Sequence, residues 1–336
     1  MMKKCILFAA LAAALLSSCA RAPQPGLNDA SKAYLEAWVK VHYPDAKTTP
    51  MGAYILDETP GTGEPLGDVA HSPFVRVNYT VRSLDGTISA TNSEVLAKQL
   101  GTYKDVNFYG PKFWTRPGYG VRAGVEEALS TMNIGGSKTV LIPGWLLSKD
   151  PYGTAEEYFK KAQGTEAIYT IEPVERITDI AKWEVDSLCS FMRHNYPSVA
   201  LTDSLKNGFY YVRTSAPSDT TGFRKDTTIY INYIGRLLNG TVFDTSIADT
   251  AKFYGIYEAK REYGPQKVDA KEDYTSTTMG GEKIIDGFAY TIYQMHSFEK
   301  GTGIFCSEYG YKLSGSGESI PPYSPLRFDI EVVKEN

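Results

Sequence analysis

A chain of 336 residues fits two domains of ordinary size, and 42% hydrophobic with 12% aromatic residues is apolar material enough for a core in each. The formal charge of −4, with no basic stripe and no RNA-binding aromatic motif, excludes a nucleic-acid partner. His42, His71, His194 and His296 are scattered without ligand spacing, so neither a metal nor another cofactor is expected.

The chain opens on Lys3 and Lys4, runs apolar from Ile6 to Leu16 and ends small at Ser17-Ser18, the pattern of an export signal over residues 1–18. Leu16-Ser17-Ser18-Cys19 resembles a bacterial lipobox, which makes Cys19 the expected lipidation site and 19–27, with Pro23 and Pro25, a short tether. The apolar run is too short to span a bilayer. The expected product is an exported lipoprotein on a periplasmic or cell-surface face, reaching the membrane through its lipid anchor only. Without the signal its charge is 33 − 39 = −6. Cys189 and Cys306 then remain; a disulfide is open to them in an oxidising compartment, and the apolar run around Cys189 favours a buried free thiol.

Asn28-Asp29 can cap a helix bearing Tyr34, Leu35, Trp38 and Val41 on one face. A strand at Ala53–Leu56 follows, then a turn-rich loop at Thr59–Ser72. Asp179 precedes a second such helix with Trp183, Leu188, Phe191 and Met192, followed by a strand at Phe209–Val212 and a loop at Ser215–Thr227. These echoes form a repeat. Tyr79 and Tyr233 are offset by 233 − 79 = 154 and Pro44 and Pro197 by 197 − 44 = 153, while Met132 and Met295 are offset by 295 − 132 = 163. The drift places an insertion of about nine residues near Phe253–Lys283 of the second copy, a stretch whose charges, Arg261 among them, read as a solvated excursion able to cover a cleft. The repeat divides the chain into 28–178 and 179–336.

In the second copy Ile229–Ser246 is a β-branched, aromatic strand with a turn at Asn239-Gly240 and a Phe243-Asp244 pair beyond it. Lys283–Phe288 reads Lys-Ile-Ile-Asp-Gly-Phe, and Ser319–Val333 is a Pro-Pro turn feeding an alternating strand. This ordered set resembles the FKBP-type peptidyl-prolyl cis-trans isomerases, with their Y-x-G strand, F-D pair, V-I-x-G-W segment and closing strand. The resemblance implies an α+β fold: two tandem FKBP-like domains, each a curved antiparallel sheet wrapped on a short helix, with an extra N-terminal helix per domain. It also implies proline-containing polypeptides as partners.

Rotating an X-Pro bond needs no nucleophile, acid or metal. The barrier is amide resonance, about 18–20 kcal/mol, and a dry aromatic cleft with few polar groups can lower it. The resemblance assigns Tyr233, Phe243, Asp244, Ile285, Phe288 and Tyr311 to the catalytic pocket. Phe243 is a wall, Asp244 a polar restraint on the substrate or a neighbouring side chain, the Ile285 N–H a donor to a ligand carbonyl, and Phe288 a floor where the family usually has tryptophan. It assigns Phe253, Ile284, Tyr309 and Phe328 to substrate binding. Tyr309 and Tyr311 compete for one loop position: distance to Ile320-Pro321 favours Tyr311, and the Tyr-Gly dipeptide favours Tyr309. The first copy is degenerate, with Ser89 and Ala90 at the F-D pair, Arg122 and Val125 in the V-I-x-G-W segment, Tyr152 in the loop and Tyr169 in the last strand. The expected function is therefore prolyl isomerisation or folding help outside the cytoplasm by the second copy, with the first a scaffold. The alternative is a non-catalytic FKBP-like binding lipoprotein.

Overall fold

The computed structural model describes residues 26–116, 121–217 and 226–335. The signal segment 1–18, Cys19 and all but the last two residues of the tether lie outside the described residues.

Two antiparallel sheets follow one another along the chain. The first unit comprises α1 (Asp29–His42), β1 (Lys47–Thr48), β2 (Tyr54–Thr59), β3 (Phe74–Arg82), β4 (Ile88–Thr91), α2 (Glu94–Gln99), β5 (Lys112–Thr115), α3 (Ala123–Ser130), β6 (Ser137–Ile142), α4 (Ala155–Lys161) and β7 (Ala167–Ile177). The second comprises α5 (Ile180–Asn195), β8 (Phe209–Ser215), β9 (Thr227–Leu237), β10 (Val242–Thr245), α6 (Ala248–Phe253), β11 (Gln266–Ala270), β12 (Thr278–Met279), β13 (Glu282–Lys283), α7 (Asp286–Tyr293), β14 (Lys300–Phe305) and β15 (Leu326–Val333).

The sheet orders are β1-β2-β6-β7-β3-β4 with β5 on β3, and β13-β12-β11-β9-β15-β14-β8 with β10 on β9. Without β1 and the β12–β13 hairpin the two connectivities coincide, and the hairpin falls where the repeat offset places the insertion. Register follows the offset too: Tyr79 faces Ile171 as Tyr233 faces Ile330, and Val81 faces Ala90 as Gly235 faces Asp244. In each unit a short helix presses its first turn onto the sheet through a glycine. A β-carbon at Gly124 would stand 2.3 Å from Ile142 Cγ2, and one at Gly287 2.4 Å from Phe305 Cε2.

The helix preceding each sheet is present, but its buried face differs from the sequence reading in the first unit. Leu35 and Val39 are buried, whereas Tyr34 and Val41 are exposed, so the seam runs i, i+4 and one edge of the expected face looks into water. Asn28 stands at the cap position and its carbonyl accepts from Lys32 N at 2.9 Å, but its side chain does not cap the helix; Nδ2 donates instead to Phe159 O and Ala162 O, 2.7 and 2.9 Å away. Asp179 does cap α5, accepting from Lys182 N at 3.0 Å. Leu188 and Met192 are then fully buried, each contributing about 1.5–3 kcal/mol by leaving water. Cys189 and Cys306 are both free thiols, and burial pushes the Cys306 thiol up to about 12.

The units touch along an aromatic seam. Phe113 meets Trp183 edge-on at 4.8 Å between centroids, and Tyr323 meets Phe74 at 5.5 Å and Phe113 at 5.7 Å. Among the described residues no helix is long and apolar enough to cross a membrane, and no group of three His, Cys, Asp or Glu side chains could hold a metal.

Candidate active site

Strand pleating puts alternate residues of β9 on one face, and the buried ones are Ile229, Ile231, Tyr233, Gly235 and Leu237. Gly235 leaves room for two rings above it: a β-carbon there would stand 2.7 Å from Phe243 Cε2 and 2.9 Å from Phe328 Cε1. Those rings meet edge-on at 5.6 Å, Phe328 tilts onto Phe288 at 4.7 Å, and Tyr233 meets Phe288 edge-on at 5.3 Å. Pairing of β10 with β9 shifts register between Val242 and Asp244, the kind of bulge that re-aims a side chain. Phe243 and Asp244 thereby both reach the cluster.

Asp244 is tied from two sides. Its Oδ2 accepts from the Tyr233 hydroxyl at 2.7 Å and its Oδ1 from Arg261 Nη1 at 2.5 Å, while Arg261 Nη2 donates to the Tyr233 oxygen at 3.1 Å. Burial, then the Asp244 charge and hydrogen bond, raise the Tyr233 phenol above its ordinary range, so it stays a protonated donor at neutral pH. Burial opposes the Arg261 charge, but Asp244 outweighs it and raises the guanidinium pKa. Burial and then the Asp244 charge raise Tyr311 as well, which places its hydroxyl in the field of the same carboxylate.

Ile284 and Ile285 are half-buried against this cluster. Ile285 is the cap residue of α7, in extended conformation at φ −62, ψ 144. Its carbonyl accepts from Ala289 N at 3.1 Å. Among the described residues its own N–H has no acceptor, as expected of an unfilled donor at a helix start.

Two assigned residues stand elsewhere. Phe253 ends α6 with 82% of its surface exposed, stacked edge-on against Tyr254, and forms no wall. The sequence distance from Asp244 misled because α6 coils the chain away before it returns at Arg261. Tyr309 packs on Phe209 and donates to Asn207 O at 3.1 Å, at the β8 end of the unit, while Tyr311 packs half-buried on the same core cluster. Arg261 was read as part of a solvated excursion, yet it closes the polar triangle. A half-buried carboxylate needs a cation or donors, and that need was the one signal pointing toward it.

The first unit differs at each equivalent point. Val81 fills the position of Gly235, Ala90 lies opposite it where Asp244 lies in the second unit, and Val125 stands buried at the position of Phe288. Arg122 caps α3 as Ile285 caps α7. Trp114 leans on Tyr79 at 5.2 Å. Burial, then Tyr79, raises the Tyr169 phenol, opposed by Arg122, and a cavity of about 280 Å³ is lined by Tyr79, Ser89 and Ala90 among others.

Among known proteins, the model of the FKBP-type peptidyl-prolyl cis-trans isomerase family matches residues 220–333. A macrophage infectivity potentiator of Trypanosoma cruzi is 28% identical over 129 residues, 38% of this chain and 54% of that protein. FK506-binding protein 1 of Rhizopus delemar is 28% identical over 126 residues, 37% of this chain and 96% of that protein. The chain thus spans about half the length of the first and nearly all of the second. A crystal structure of a peptidyl-prolyl cis-trans isomerase from Pseudomonas syringae pv. tomato overlays on 46% of this chain and 94% of its own, with TM-score 0.31 and 20% identity.

Proposed function

We propose that this chain, which belongs to the FKBP-type peptidyl-prolyl cis-trans isomerase family through residues 220–333, isomerises X-Pro bonds of polypeptides outside the cytoplasm, held to a membrane by a lipid on Cys19. In this reading 28–178 and 179–336 are tandem FKBP-like domains, activity resides in the second, and the first is a scaffold. The observation that carries it is the Tyr233–Asp244–Arg261 triangle set beside Phe243, Phe288 and Phe328.

The chemistry follows from these groups. X-Pro bonds turn over in tens to hundreds of seconds unaided. Rings that exclude water remove the hydrogen bonds that favour the planar, polar imide, and the Ile285 N–H is a donor for a carbonyl of the bound chain. Asp244 acts on Tyr233 and Arg261, holding both against the pocket; it is a positioning residue. The first unit has no such carboxylate, because Ala90 occupies its place.

One observation favours the non-catalytic alternative: both Asp244 oxygens are already taken by protein donors. Isomer exchange on a proline tetrapeptide separates the readings. Wild-type chain should accelerate exchange, and Asp244→Ala should lower kcat about tenfold with KM nearly unchanged and stability within about 1 kcal/mol, since the ion pair is a third exposed. No acceleration by the wild type leaves the binding reading; an unchanged kcat in the variant places the activity away from this triangle.

A further inference from the structure

The pocket of the second unit is flanked by a segment of the first. Residues 103–112, leading into β5, touch both loops beside the Tyr233–Asp244 pair. On one side Asp105 lies against Gly255, so close that a β-carbon there would stand 2.3 Å from Asp105 Oδ2; Gly255 opens the loop that brings Arg261 to Asp244. On the other side the Phe108 N–H donates to Glu318 O at 2.8 Å, and Lys112 Nζ pairs with the Glu318 carboxylate at 2.6 Å. Glu318 sits in the loop between Tyr311 and Ile320.

Phe108 packs, half-buried, on the core cluster of the second unit. It shares with Leu237, Asn239 and Pro321 a cleft of about 200 Å³. Leu237 follows Tyr233 and Gly235 on the same face of β9, so Phe108 stands at the Leu237 end of that face. Four residue steps along β9 lead from Tyr233 to Leu237, about 13 Å at about 3.3 Å per residue. An extended chain whose proline stands over Tyr233 brings its third or fourth neighbour to Phe108.

We infer that Phe108, contributed by the first unit, is a specificity-determining residue for the second: it selects extended polypeptides with apolar side chains three or four positions from the proline. This rests on the isomerase reading above and gives the first unit a part in choosing substrates. A tetrapeptide ends before Phe108 and should not sense it.

The test uses the whole chain and two decapeptides with the same central X-Pro pair, one apolar and one all glycine at the outer positions. Wild type should favour the apolar decapeptide in kcat/KM. Phe108→Ala should reduce that preference about tenfold while leaving the tetrapeptide rate unchanged, and Phe108→Leu should restore most of it. An unchanged preference, or an equal change on both decapeptides, overturns the inference; a rise on both would make the segment an occluding cap instead. If wild type accelerates none of these substrates, it is the isomerase reading that fails. The affinity ratio of the two labelled decapeptides, from fluorescence anisotropy, then decides the inference: a ratio that depends on Phe108 supports it, and one indifferent to Phe108 overturns it.

Discussion

Glu299 has no exposed surface, yet it accepts from the Tyr211 hydroxyl, from Arg213 Nε at 2.8 Å, and from His296 N and Nδ1 at 3.0 and 2.9 Å. Burial alone would raise its pKa; the hydrogen bonds from Tyr211, Arg213 and His296 outweigh it, and the carboxyl is held below its ordinary value. A depressed carboxyl adds stability above the unfolded pKa, near about 4.3, and that stability is lost as pH falls through the folded pKa. Thermal stability of the wild type should therefore fall steeply below about pH 4. Glu299→Gln should be less stable at pH 7 by about 2 kcal/mol and show a shallower acid slope; identical slopes would remove Glu299 from the acid response. Neither Glu299 nor Arg261 was legible in the sequence. Their roles are set by partners 86 and 17 residues away, and nothing local to a Phe-Glu-Lys or an Ala-Lys-Arg marks a buried ion pair. Tyr233, Phe243, Asp244, Phe288 and Phe328 were legible only through the family resemblance, whose ordered motifs name them, and the structure brings them together.

At the level of elements, β9 shows how one missing side chain shapes a site. Gly235 weakens the strand as an element, but its vacancy lets Phe243 and Phe328 meet over the backbone. Gly235→Ala should force those rings apart, costing about 1–3 kcal/mol in stability and lowering kcat/KM further than the loss of folded protein accounts for. A variant matching wild type in melting temperature and rate would show that the rings do not depend on this gap. Val81 in the equivalent strand of the first unit is the natural counterpart, with no pair of phenyl rings above it. The strand and its turn were readable from β-branched and aromatic residues ending at Asn239-Gly240. The α6 helix was not: its six residues carry too few turns for a periodic pattern, and missing it displaced Phe253 into the pocket. Helix α1 was found but turned the wrong way, since Tyr34 and Val41 are apolar enough to suggest a buried face and only packing against the sheet chooses Leu35 and Val39.

At the scale of the molecule, the repeat offset located both sheets and the inserted hairpin, because the two units share connectivity and register even where their side chains diverge. The seam between units was invisible for the opposite reason: Phe108, Phe113 and Trp183 look like strand or helix core until the partner surface is present. The same scale governs the proposed anchor. An apolar run from Ile6 to Leu16 falls well short of the roughly 20 residues a spanning helix needs, so in the proposed reading membrane attachment of the processed chain comes from acyl carbon at Cys19, at about 0.8 kcal/mol per buried CH₂. Cells expressing the full precursor with an alkyne-bearing palmitate should incorporate the label into the wild type and not into Cys19→Ser. The wild type should sediment with membranes and be released by detergent, whereas a processed Cys19→Ser chain should be recovered without it. Label on the serine variant, or an unlabelled wild type that still sediments with membranes, would place the attachment elsewhere in the chain.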